Sequence, residues 1–107
     1  MIARIWRGAA KTENAEAYRR HAVGSVFPSL GSIAGHRGAY LLTRKINDEV
    51  EFIAVTLWDS IEAVKRFAGA DPDVAVVAPE ARAVLSRFDD VVRHYDVSDA
   101  KSVTDKL

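Results

Sequence analysis

From Phe52 to Trp58 (FIAVTLW) the chain is apolar or β-branched almost without interruption, and then its spacing changes abruptly. An unbroken run of that kind predicts a strand covered on both faces, since one wet face would demand strict alternation. Asp59-Ser60 follows, a pair of helix-capping residues, with Glu62 three positions after Asp59 as in a capping box. Ile61, Val64, Phe67 and Ala68 then recur at helical steps, and Gly69 marks a stop. A buried strand that ends at a tryptophan and turns at once into an amphipathic helix is where a pocket is to be sought.

The rest of the pattern is arranged around this junction. Ile2–Gly8 alternates as a first strand, with Ile2, Arg4 and Trp6 on one face and Ala3, Ile5 and Arg7 on the other. Thr12 is placed to cap a helix running to about Leu30, marked by Ala15, Tyr18, Ala22, Val26 and Leu30; Pro28 predicts a kink or an end. His36–Ile46 and Val50–Trp58, joined across Asn47-Asp48-Glu49, form an antiparallel hairpin. Val74–Val77, hemmed in by Pro72 and Pro79, is assigned to a loop or short helical turn. Pro79 opens a helix reaching to about Phe88. Asp90–Val97 is the fourth strand, with Val91, Arg93, Tyr95 and Val97 on one face and Val92 and His94 on the other. The order β-α-β-β-α-β predicts an α+β, ferredoxin-like fold: an antiparallel four-stranded sheet with its helices on one face. Residues 1–97 make one domain, and 98–107 form a polar tail. Strands two and three are apolar on both sides, so the open face needs a cover, and a second copy of the chain is the simplest one.

Composition narrows the functions open to such a fold. Of 107 residues, 15 are Lys or Arg and 15 are Asp or Glu, so there is no basic excess to bind phosphate and nucleic acid is not expected as a partner. Without cysteine there are no disulfides, thiolate nucleophiles or cysteine metal sites. No apolar run reaches the ~20 residues of a membrane span. The N-terminal stretch reads as folded sequence rather than a signal-peptide core, so the expected location is a reducing cytoplasm. Phosphate-cradling glycine loops and the G-x-S-x-G nucleophile elbow are absent, and the three histidines lack metal-ligand spacing. No cofactor and no metal are expected.

The candidate residues each carry a structural and a chemical reading. Trp58 and Trp6 can stack on a planar ligand or plug the core. His94 can take a proton from a phenol, or be a hydrogen-bonded structural histidine. Arg4 shares its face with Trp6 and, buried, needs an anion, either from a ligand or from a carboxylate across a subunit interface. Arg7 and Arg37 are strand arginines under the same condition. Tyr18 and Tyr40 can line a pocket or sit in the core. His21, within YRRHA, falls on the polar flank of the first helix, and His36 opens the second strand at a pocket mouth or on the surface.

"WRG" in the first strand, "GHRGAYLLTR" in the second, "LWDSIEAVKRFAG" across the third strand and its helix, and "PEA…L…FD…V.HYDV" toward the end resemble the antibiotic biosynthesis monooxygenase family of the dimeric α/β barrel superfamily, over roughly residues 1–97. The resemblance implies a homodimer with a ligand pocket in each subunit between sheet and helices. It also implies one of three activities: cofactor-independent oxidation of a small aromatic substrate, non-catalytic use of the same fold, or haem binding or degradation. In the first, His94 would deprotonate the substrate, Arg4 would stabilise the anion, and Trp58, Trp6, Tyr18 and Tyr40 would hold the ring. Haem-degrading members carry an Asn on the first strand, a Trp ending the third and a His on the next helix. Trp58 matches, while Ile2–Gly8 has no Asn and Ile61–Gly69 no His.

Overall fold

The computed structural model describes residues 1–101. Five antiparallel strands form one sheet: β1 (Ile2–Lys11), β2 (His36–Ile46), β3 (Glu49–Trp58), β4 (Arg87–Phe88) and β5 (Arg93–Asp96). The order is β2-β3-β1-β4, with β5 also on β1. The helices α1 (Thr12–His21), α2 (Phe27–Leu30), α3 (Ile61–Ala68) and α4 (Pro79–Val84) lie on one face, as the ferredoxin-like reading requires. β1 runs past its predicted end because Ala9–Lys11 continue the ladder opposite Glu49–Glu51. The β2–β3 turn holds only Asn47-Asp48, and Asn47 takes a positive φ of 54°, which asparagine tolerates better than most residues.

Register assigns every strand residue to a face. Toward the helices, one cross-strand row runs Ala39–Thr56–Arg4–His94 and the next runs Leu41–Ala54–Trp6. On the open face the rows are Tyr40–Val55–Ile5–Arg93 and Leu42–Ile53–Arg7, with Leu57–Ala3–Tyr95 beside them. The predicted facing of strand four holds: Val92 is buried on the helix side, and Tyr95 is exposed.

Three expectations change. First, Thr12 is not a side-chain cap. Lys11 takes the cap position without a side-chain bond, and the Thr12 N–H donates instead to the Asp48 carbonyl at 2.9 Å. Second, the fourth strand is broken. Asp89–Val92 span four positions where β1 spends only Trp6 and Arg7, and the excess bulges out to pair with residues 73–75 through Ala75 N–H to Asp90 O and Val92 N–H to Asp73 O, each 2.9 Å. Third, the helix opened by Pro79 ends at Val84, because Leu85 turns extended and Ser86 N–H joins Ala9 O of β1 at 2.8 Å.

The first helical run reaches Leu30 as predicted, but through a π-helical turn over Ala22–Val26. There Phe27 N–H bonds back five residues to Ala22 O, and Pro28, which has no N–H to offer, begins the next turn. Of the polar segment 98–107, residues 98–101 are irregular and exposed, and 102–107 lie outside the described residues.

Candidate functional site

Two hydrophobic clusters fill the space between sheet and helices. One gathers Trp58 with Leu30, Ala63 and Val64; the other gathers Trp6 with Ala10, Tyr18, Ala22, Phe52, Ala81 and Val92. A cavity of about 300 Å³ opens beside the second. Trp6, Ala54 and Thr56 form its floor, the helical run from Tyr18 to Leu30 one wall, and Val76–Ala78 with Glu80 and Ala81 the other. Its walls are small or aliphatic over most of their extent, which is why space remains above an aromatic floor.

Trp6 is held in place from three sides. Its Nε1–H donates to Asp89 O at 3.1 Å, its ring stacks on Tyr18 at 5.9 Å, and its indole lies over Gly8, where a Cβ would come within 2.5 Å of the ring. Only glycine leaves the strand low enough for that overlap. Tyr18 packs in turn on Phe52 at 4.6 Å. Its burial raises the phenol to about 12, so it stays neutral over the physiological range.

Arg4 is the charged group of the site. Only 5% of it is exposed, and its Nη2 donates to Val74 O at 2.8 Å and Pro72 O at 3.5 Å, both neutral acceptors. Its Nε is buried with no partner among the described residues, and the guanidinium lies over Phe67, 5.5 Å from the ring centroid. Burial lowers Arg4 to about 10, with Asp73 opposing that shift, so the side chain remains a cation at neutral pH.

The structure separates the other candidates. Trp58 has no exposed surface and does not line the cavity. It donates Nε1–H to Thr56 Oγ1 at 2.9 Å, stacks on Phe67 and meets His36 edge-on at 5.0 Å. It therefore reaches the cavity only by holding the Thr56 hydroxyl in place. His94 is the cross-strand neighbour of Arg4 but lines no part of the cavity; its Nδ1 pairs with Asp73 Oδ1 at 3.2 Å. Tyr40 sits on the open face of the sheet, across from the cavity. Arg7 and Arg37 are surface residues bound to Asp89 and Asp59. Burial lowers His36 below the ordinary imidazole range, and its Nδ1 is unpartnered.

Sequence reasoning set His21 on the polar flank of the first helix and passed over Ser25, Ser29 and Glu80; all four line the cavity, the His21 ring 6.4 Å from Tyr18. A plain 3.6-residue count puts His21 on the polar flank; that it lies one turn beyond Tyr18 was the signal available. Among the described residues no group of three or more His, Asp or Glu could hold a metal ion, and no helix is long and apolar enough to cross a membrane.

No protein-family model and no curated protein matches this sequence. Solved structures do match. A candidate antibiotic biosynthesis monooxygenase of Bacillus cereus aligns with TM-score 0.66 and 15% identity over 97% of each chain. Another, of Deinococcus radiodurans, aligns with TM-score 0.67 and 12% identity over 97% of this chain and 99% of that one. The Rv0793 protein of Mycobacterium tuberculosis gives 0.59 and 18% over 94% and 98%. At these identities the likeness is one of fold: the chain takes the ferredoxin-like fold of the antibiotic biosynthesis monooxygenase-like proteins.

Proposed function

We propose that the cavity over Trp6 binds a small aromatic molecule bearing an acidic hydroxyl, and that the chain acts on it as a cofactor-independent monooxygenase. The observation that carries this reading is Arg4, a buried cation without a carboxylate partner among the described residues, at the edge of a mostly apolar cavity. A phenolate is itself electron-rich enough to reduce dioxygen. One oxygen atom enters the ring as a carbonyl, the other leaves as water with the ring C–H and phenolic hydrogens, and the substrate supplies every electron. Trp6 and Tyr18 hold the ring, and Arg4 stabilises the oxyanion. His21, which lines the cavity, is the imidazole placed to take the phenolic proton, whereas His94 serves only through its neighbour Arg4.

Oxygen uptake with a series of hydroxynaphthalenes, read beside tryptophan fluorescence, tests this. Saturable quenching that is lost in Trp6→Phe, with uptake abolished in Arg4→Met, is the expected result. Neither quenching nor uptake across the series would refute it. Quenching without uptake is the outcome of a second reading, a binder without turnover, which is favoured by the prior engagement of both Arg4 and His94 with residues 72–74.

The open sheet face supports a homodimer. It presents Tyr40, Leu42 and Tyr95 as exposed groups around Ile5, Ile53, Val55 and Leu57. Arg44–Glu51 at 3.0 Å and Arg7–Asp89 at 3.3 Å pair two of the cations of this face within the chain. Sedimentation at micromolar concentration should give a dimer, and Leu42→Glu a monomer; a wild-type monomer would end this assignment. The cysteine-free chain suits the cytoplasmic location we propose with it.

A further inference from the structure

Between α3 and α4 the segment 71–78 crosses the helix side of the sheet as a strap. Ala75 and Val77 pack against the Trp6 cluster, and the strap's polar hold is the two 2.9 Å backbone bonds to Asp90 and Val92, the Asp73–His94 contact, Arg82 Nε to Val77 O at 3.1 Å, and the Arg4 clasp on the Val74 and Pro72 carbonyls. Beyond Ala75 the strap itself becomes cavity wall through Val76, Val77 and Ala78. Arg4 is therefore shared by two clients. It fastens the strap, and it is the cation that a ligand in the cavity would meet.

We propose that Arg4 is an exchangeable latch: an anionic oxygen of the bound molecule takes the guanidinium from the Val74 and Pro72 carbonyls, and the strap over the cavity loosens. The proposal rests on the reading of the cavity as a ligand site.

The present clasp is a poor match for the side chain. An arginine fork is built to give two parallel bonds to one anion, yet here Nη2 alone is engaged, by neutral oxygens, while Nε has no partner among the described residues. The nearest acid, Asp73, spends its carboxylate on His94. A buried cation left in this state gains from any carboxylate or phenolate that reaches it, because charge-assisted bonds are about twice as strong as neutral ones. Of the two acids on the strap, Asp73 already meets His94 through Oδ1, and Asp71 accepts the Asp73 N–H at 3.0 Å. Ligand charge, not ligand size, is thus what the latch reads.

Two probes of the same size separate the outcomes on the unmodified protein: 2-naphthoate, ionised at neutral pH, and 2-naphthalenemethanol, which is neutral. The latch predicts that naphthoate binds about tenfold tighter by fluorescence quenching. It also predicts that the Val76, Val77 and Ala78 amides exchange hydrogen faster with naphthoate bound than with the alcohol. In Arg4→Lys, which keeps the charge and loses the fork, the preference shrinks. Equal affinities, or strap amides unchanged or slowed by naphthoate, overturn the latch while leaving the cavity a ligand site. Failure of both probes to quench overturns the latch and the ligand-site reading together.

Discussion

The two tryptophans stand on the same face of the same sheet, on adjacent strands, and do different work. Trp58 lies beneath α3 with Val64 and Phe67 against it, and no solvent reaches it. Trp6 lies beneath the π-helical turn and the strap, where Ala22, Ser25, Ala78 and Ala81 are too short to fill the space above its ring. The indoles are equivalent; their roofs are not. A pocket in this fold is made by what the opposing elements fail to fill, so an aromatic residue in the sequence marks a floor and says nothing of whether the floor is bare.

The sharpest way to break that contrast is to truncate both rings. Trp58→Ala should cost about 3–5 kcal/mol in urea unfolding, the range for emptying a packed aromatic site. Trp6→Ala, beside an existing cavity, should cost clearly less, and equal losses would erase the distinction. Next, Ala54→Leu puts bulk into the cavity floor. Hydroxynaphthalene binding should weaken at least about tenfold while stability changes by less than about 1 kcal/mol, since the added methylenes meet space rather than packed atoms. Unaltered binding would move the ligand elsewhere.

A third test uses alkali. Tyr18 is raised from the usual phenol value of 10.0 to about 12 by burial, so the folded chain keeps its proton where the unfolded chain loses it. Stability held below pH 10 should therefore fall as pH rises toward 12, by up to about 2 kcal/mol relative to Tyr18→Phe. Parallel curves for the two proteins would show that Tyr18 is not sealed in. The smallest effect concerns the roof over Trp58. Ser60 Oγ accepts the Ala63 N–H at 3.2 Å, and Ser60→Ala should lower stability by about 1 kcal/mol without changing ligand binding.

Much of this was legible in the sequence because it rests on periodicity. The alternation of β1, the unbroken run of β3, the capped α3 and the facing of Val92 and His94 all follow from spacing, as does the shared face of Arg4 and Trp6. What escaped depends on partners distant along the chain. Nothing local says that Asp73 will occupy His94, that the strap's carbonyls will hold Arg4, or that α3 will close over Trp58 while the π-helical turn leaves Trp6 open. Tyr40 fell on the far face for a simpler reason: a strand apolar on both sides gives no sign of which side the helices will cover.

The π-helical turn also has a consequence for indels. Each residue advances an α-helix by about 100°, but the wider turn that bonds Phe27 to Ala22 takes up one additional residue with little change in the angle at which everything after it faces. Phe27 and Leu30, which pack in the Trp58 cluster, lie downstream of that turn, and Tyr18, which packs on Trp6, lies upstream. Deleting one residue between Ala22 and Val26 would restore ordinary helical winding and, because the wide turn had absorbed that residue, leave the downstream side chains facing their cluster. The wide turn is thus a slack link between the two regions: the helix can lose a residue over the cavity without turning the far core out of mesh, whereas a deletion within Thr12–His21 would turn it by about 100°.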